Sequence, residues 1–269
     1  PYGIDDKMMG RICRCSEQLA LSLGTKGLVN IQYLIFQNEL YVIEVNPRAS
    51  RTVPYISKVT GVPMVDIATR VMTGEKLSGL GYGTGLYRTP PYFAVKVPVF
   101  SFEKLNQVNS YLGPEMKSTG EVLGIGKNLY EALFKGLTSA GMMLKSSVLH
   151  SDVGILVSVD SHDFSEVQSL AKKLDDLGFH IYATNETAEV IRKLGVPVTQ
   201  VAGIKESERA FELLESGKIN YIVYTGALLD STVDDYIALH RRALQLSIPC
   251  LTSLDTANAL ADIIASRYT

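Results

Sequence analysis

Apolar positions along the first residues recur at helical spacing. Ile4, Met8, Ile12, Leu19 and Leu23 predict an amphipathic helix that Gly24 stops. Two β-rich apolar runs follow, residues 28–36 and 40–45, parted by the polar Gln37-Asn38-Glu39, and the pattern predicts a hairpin. A helix over about 65–72 ends at Gly74, and a Pro-bounded strand runs through Tyr92–Val97. Residues 113–124 read as a Gly-rich connector before a helix over about 129–143.

Beyond residue 147 the pattern changes to regular alternation of strand and helix. Strands are predicted at 155–159, 179–183, 221–224 and 250–252. Helices are predicted at 165–177, 187–194, 207–214, 234–246 and 255–265. Alternation of this kind implies a parallel sheet with helices on both faces. The fold class is therefore α/β, with a mixed α+β first part built on an antiparallel hairpin and a Rossmann-like second part.

Charge sharpens the division. Residues 1–146 carry 16 Lys+Arg and 11 Asp+Glu, whereas 147–269 carry 10 and 17, so the net charge passes from +5 to −7. The sign changes within the polar stretch 145–152, and domains are expected at 1–146 and 147–269. Across all 269 residues the net charge is −2, which leaves no bulk positive field for nucleic acid. No apolar run approaches the ~20 residues of a membrane span. Three cysteines, Cys13, Cys15 and Cys250, fit a reducing compartment, and a cytoplasmic protein is expected. The chain opens on Pro1 directly into a helix, and a segment of a longer protein is expected.

The hairpin carries the candidate chemistry. With pairing symmetric about Asn38, Gln32 stands opposite Glu44, and strand alternation puts Gln32, Glu44 and Asn46 on one face. Three oxygen-bearing side chains so placed suit Mg²⁺ shared with substrate phosphates, since that ion is held by one or two carboxylates plus phosphate oxygens. Arg48 and Arg51 follow Pro47 and are suited to neutralising phosphoryl oxygens. An amphipathic hairpin with a polar end and two surface arginines accounts for the same spacing. Elsewhere, Cys13 and Cys15 lie two apart on a helix and point to different sides. The four histidines have no zinc or triad spacing.

The run Val42-Ile-Glu-Val-Asn-Pro-Arg-Ala-Ser-Arg-Thr-Val-Pro-Tyr-Ile-Ser-Lys-Val-Thr-Gly-Val-Pro63 resembles the end of an ATP-grasp domain, and within that superfamily the large subunit of carbamoyl phosphate synthetase. Residues 112–124, Leu-Gly-Pro-Glu-Met-Lys-Ser-Thr-Gly-Glu-Val-Leu-Gly, resemble the same subunit. The resemblance implies that 1–146 is the tail of the carbamate-phosphorylating ATP-grasp half and 147–269 a methylglyoxal-synthase-like regulatory domain. It further implies Gln32, Glu44 and Asn46 as ligands of Mg²⁺ (or Mn²⁺) on ATP, and Arg48 and Arg51 as contacts to the phosphoryl or carbamate groups. The partners it implies are the remainder of the large subunit, a glutaminase small subunit, and a homo-oligomer formed through the C-terminal domain. The resemblance implies that the portion of the fold carrying the adenine pocket lies outside these residues, and the isolated chain is expected to turn over no ATP.

In an open α/β sheet, ligands gather beyond the strands' carboxyl ends. Ser158, Thr184, Thr187 and Thr225 are expected there, with Thr252 and Ser253 at the last strand. Ordinary N-capping explains each singly. The family's nucleotide effectors (UMP or IMP) use a Ser, two Thr, two Lys and an Asn-Thr-Thr run. Ser158, Thr184 and Thr187 match, but Phe164 and Gly203 stand at the lysine positions and Tyr224-Thr225-Gly226 replaces the run. With a net charge of −7 opposing a dianion, effector control is expected to be weak or absent. Val97 stands where some relatives place an ornithine-binding Glu.

Two readings stay open at the sequence level, a piece of an ATP-dependent carbon–nitrogen ligase and a non-catalytic regulatory or oligomerisation module with a vestigial pocket. A free methylglyoxal synthase is rejected, because Thr225-Gly-Ala-Leu-Leu lacks the catalytic Asp and phosphate loops.

Overall fold

The computed structural model describes residues 3–101, 115–142, 153–203, 208–225 and 233–266, with the side chains of 233–235 left aside. Two compact units emerge, residues 1–91 and 92–269. The expected boundary near 146 lies within 143–152, outside the described residues. Among the described residues no helix is long and apolar enough to cross a membrane.

In the first unit, α1 (Asp6–Ser22) starts where the Asp5 carboxylate accepts the Met8 amide at 2.7 Å. That bond satisfies one of the donors every helix start leaves open. The helix ends before Gly24, whose φ of +59° favours glycine. β1 (Asn30–Phe36) and β2 (Glu39–Asn46) form the hairpin, then come α2 (Thr52–Thr60) and α3 (Met64–Met72). No helix was expected at α2. Its Pro54 falls in the first turn, where a missing N–H costs nothing, and Gly61 in the left-handed region closes it.

The hairpin differs from a ribbon symmetric about Asn38, and the difference is instructive. Gln37 and Asn38, at φ +48° and +63°, form a two-residue turn, so Phe36 pairs with Glu39 and Tyr33 with Val42. Both central residues with positive φ give the turn whose twist matches that of the strands. Ile43 is then extra, a β-bulge, and beyond it Gln32 pairs with Glu44, Ile31 with Val45 and Asn30 with Asn46. The expected Gln32–Glu44 pairing therefore arises through a tighter turn plus a bulge. Arg11 of α1 anchors the turn, donating to the Asn38 carbonyl at 2.8 Å and to Glu39 at 2.7 Å. The Ser16 and Tyr33 hydroxyls meet at 2.8 Å, so the face bearing Tyr33 is the one α1 approaches.

The second unit opens with β3 (Phe93–Val99) and β4 (Gly120–Gly126), antiparallel, and α4 (Leu129–Ser139) packed on them. The end of the expected Gly-rich connector is thus a strand. Its glycines are the reason: a Cβ at Gly124 would lie 2.0 Å from the Ala132 carbonyl oxygen, and one at Gly126 would lie 2.5 Å from the Ala132 nitrogen. The helix backbone rests on the strand backbone, which side chains would prevent. α4 is also shorter than expected, ending at Ser139.

The rest is β5 (Gly154–Ser158), α5 (Phe164–Asp176), β6 (His180–Thr184), α6 (Asn185–Arg192), β7 (Thr199–Val201), α7 (Arg209–Glu215), β8 (Tyr221–Tyr224), α8 (Val233–Gln245), β9 (Cys250–Leu251) and α9 (Leu254–Ala265). The strands form one parallel sheet in the order β7-β6-β5-β8-β9. β7, a strand of three residues that starts two positions after Pro197, was not expected from the pattern. Two cores flank the sheet. Val167, Leu170, Ile191, Leu260 and Ile264 of α5, α6 and α9 close over Ile155 and Ile181 on one face. Leu213, Leu214, Tyr236 and Leu239 of α7 and α8 close over Leu156 and Ile222 on the other. Burying each such side chain contributes about 1.5–3 kcal/mol, so this sheet is where the stability concentrates.

Candidate functional site

The ribbon face turned away from Tyr33 brings Gln32, Glu44 and Asn46 together. Glu44 Oε1 accepts from Gln32 Nε2 at 2.6 Å and from Asn46 Nδ2 at 2.8 Å. Gln32 and Glu44 are exposed and Asn46 is half-buried. Strand periodicity produces the arrangement: Glu44 and Asn46 lie two apart on β2, and Gln32 faces Glu44 from β1. Arg48 follows in a tight turn, its amide donating to the Asn46 carbonyl at 2.8 Å and its guanidinium to the Ala49 carbonyl at 2.9 Å. Arg51 sits at the N-terminal boundary of α2, and both arginines are exposed.

The donor set fits a small hard cation. It offers one carboxylate and two carboxamides, all oxygen donors. The amides now present N–H groups to Glu44, and rotation about their two-fold terminal torsions would turn the carbonyl oxygens inward instead. Among the described residues there is no cluster of three or more His, Cys, Asp or Glu that could hold a metal ion. A single carboxylate needs further oxygens from a ligand, which is how Mg²⁺ is held with nucleotide phosphates. Along the same face the ribbon continues with Leu34 opposite Tyr41, both about half exposed.

The second region lies beyond the carboxyl ends of β5, β6 and β8. β5 is the first strand of the sheet in sequence, and its neighbours β6 and β8 are reached by crossovers in opposite directions, so the order reverses there. Ser158, Thr184, Thr187 and Thr225 are all brought to this end, and each hydroxyl already serves the protein. Thr184 donates to Ser158 Oγ at 2.9 Å, and buried Thr187 accepts the Val159 amide at 3.2 Å. Thr225 accepts the Asp160 amide at 3.0 Å and donates to Asp163 Oδ2 at 2.5 Å.

Asp160 in turn accepts both the amide and Nδ1 of His162. Those bonds, the backbone one first, hold the Asp160 carboxyl below the usual range, and the hydrogen bond to Asp160 raises His162. Phe164, the first residue of α5, is partly buried against a core. Ser253 caps α9 at Thr256, with Thr252 beside it, and Gly226 lies outside the described residues. Sequence pattern did not single out Asp160 or Asp163. The signal available was two acids bracketing Ser161-His162 just after a strand.

Two stretches of the chain are similar to two known kinds of domain, one described as ATP-binding and one as methylglyoxal-synthase-like. Residues 2–80 match the family described as "Carbamoyl-phosphate synthase L chain, ATP binding domain", and residues 166–252 match "MGS-like domain". As a whole the chain is similar to the C-terminal part of the carbamoyl phosphate synthase large chain. It is 48% identical over 97% of its length to that protein of Clostridium perfringens (strain 13 / Type A), covering 24% of the relative. For Clostridium botulinum (strain Kyoto / Type A2) the figures are 48%, 94% and 23%. For Clostridium beijerinckii they are 42%, 98% and 24%. The chain thus spans about a quarter of the length of the curated relatives it matches.

Proposed function

We propose that this chain contributes the Mg–ATP and phosphoryl-binding wall of an ATP-dependent carbamate-phosphorylating site, together with a regulatory domain of the same carbamoyl phosphate synthase. The observation that carries the reading is the convergence of Gln32 and Asn46 on one oxygen of Glu44, with Arg48 and Arg51 in the segment that follows. Gln32, Glu44 and Asn46 would hold Mg²⁺ (or Mn²⁺) together with ATP. When bound, the metal supplies charge neutralisation of the transferring phosphoryl group. Arg48 and Arg51 orient and neutralise the phosphoryl and carbamate oxygens, so catalysis is positioning plus electrostatic stabilisation.

The remaining proposals follow the same likeness. The catalytic part is placed in residues 1–146 and the regulatory part in 147–269, supported by the change of charge sign between them. The partners are the rest of the large subunit, a glutaminase small subunit and a second copy through the C-terminal part, in the cytoplasm. Service to arginine rather than pyrimidine synthesis fits weak effector control. That weakness is supported by Asp160 and Asp163, two carboxylates standing where a nucleotide phosphate would approach Thr225.

The experiment is a chimera in which this segment replaces the matching quarter of the Clostridium perfringens large chain. The chimera is expected to form carbamoyl phosphate from ATP, and Glu44→Gln within it to lower the rate at least ~100-fold, as loss of a principal charge-stabilising group does. A chimera that folds and works equally well with Glu44→Gln would leave the segment the role of a regulatory or oligomerisation module.

A further inference from the structure

The register of the ribbon brings a fourth oxygen-bearing side chain to the candidate cation site. Asn30 pairs directly with Asn46 and lies two residues from Gln32 on β1, so it shares their face. Directly opposed residues hold their Cβ atoms about 4.5–5.5 Å apart, and neighbours two along a strand about 6.6–6.8 Å. Asn30 is therefore within reach of any ion held by Glu44 and Asn46. Its carboxamide has no hydrogen-bond partner among the described residues, whereas both neighbouring carboxamides are committed to Glu44 Oε1. Asn30 is half-buried and occupies the rung nearest Arg48.

We propose that Asn30 is a further ligand-bearing residue of this site, its Oδ1 joining Asn46 Oδ1 to complete a second coordination position beside the one centred on Glu44. The inference rests on the reading of Gln32, Glu44 and Asn46 as cation ligands and adds to it. Asn30 and Asn46 together supply two neutral oxygens, and the carboxylate of Glu44 supplies the charge beside them. Asn30 thus tunes how tightly that second ion is held.

The experiment uses the 269-residue chain, isotope-labelled, with Mn²⁺ as the probe. Paramagnetic broadening at substoichiometric Mn²⁺ reports which side chains approach the ion even when binding is weak. Broadening of the Asn30 carboxamide along with Gln32, Glu44 and Asn46 is expected. Asn30→Ala is expected to weaken Mn²⁺ binding by about tenfold, the scale at which a supporting group tunes a metal site. Asn30→Asp is expected to tighten it, because a second carboxylate adds charge where the ion sits. Opposite effects of the two variants would not come from a residue that merely stabilises the ribbon. If the other three broaden while both variants bind Mn²⁺ within about twofold of the parent, the inference is wrong and the Glu44 site stands. If Mn²⁺ leaves the hairpin unaffected, or broadens it equally in Glu44→Gln, the underlying reading fails and Asn30 with it.

Discussion

At the scale of single residues, chemistry depends on what each side chain is left free to do. His240 of α8 is buried and stacks on Tyr236 of the same helix with ring centroids 5.1 Å apart, and burial lowers its pKa to about 4. Burial likewise pushes the Cys250 thiol up to about 12, so that cysteine is expected to resist thiolate reagents in the folded protein. For His240 the unfolded chain binds the proton more readily than the native one. Stability is therefore fully present above about pH 6.5 and is lost as pH falls from there towards about 4. Urea unfolding across that range is expected to show the decline, and His240→Leu to flatten it. Glycines give a second residue-level prediction. Gly124→Ala places a methyl 2.0 Å from a helix carbonyl and is expected to cost about 3 kcal/mol or more, since it overpacks a backbone contact. Gly61→Ala, with open space but φ +72°, is expected to cost only about 1 kcal/mol, and thermal unfolding separates the two.

At the scale of elements, the hairpin shows how local rules combine. Deleting Ile43 removes the bulged residue and leaves Glu44 opposite Gln32, so the polar cluster is expected to survive. Deleting Val45 instead carries Asn46 round to the Tyr33 face and is expected to break it, because side chains alternate along a strand. Cross-strand nuclear Overhauser effects between Gln32 and Asn46 side chains would tell the outcomes apart. The clustering of Gln32, Glu44 and Asn46 was legible in the sequence because strand period 2 is the simplest of patterns. The bulge was not, since nothing in the run 39–46 marks an extra residue. β4 was hidden for a different reason. Gly120, Gly124 and Gly126 look like a loop when read alone, and they become strand residues only because α4 lies on them. α2 was masked by Pro54 in its first turn, and β7 by having three residues. The alternating second part was read more fully, because its buried strands and amphipathic helices carry strong periodic signals.

At the scale of the whole molecule, the two units have different physical characters and invite different tests. The parallel sheet of the second unit has covered faces and two apolar cores. The hairpin of the first leaves Leu34, Phe36, Tyr41 and Ile43 about half exposed or more. Replacing Leu34 by Ser is accordingly expected to change the stability of this chain by no more than about 0.5 kcal/mol, as for surface positions generally, with urea midpoints as the measure. The sign of charge makes the other whole-molecule prediction. Calorimetric titration of UMP into the chain is expected to give no saturable heat, because 147–269 carries a net −7 and Thr225 already donates to Asp163. Saturable binding in the micromolar range would overturn that expectation.

The extra residue in the second strand of the ribbon also bears on how kindred proteins should be compared. A chain one residue shorter in this stretch can keep the same opposed groups simply by lacking the bulge. An alignment gap then belongs at Ile43, not in the tight turn, and a scheme that opens it at Asn38 would displace Glu39–Val42 by one rung and assign them to the wrong sides of the ribbon.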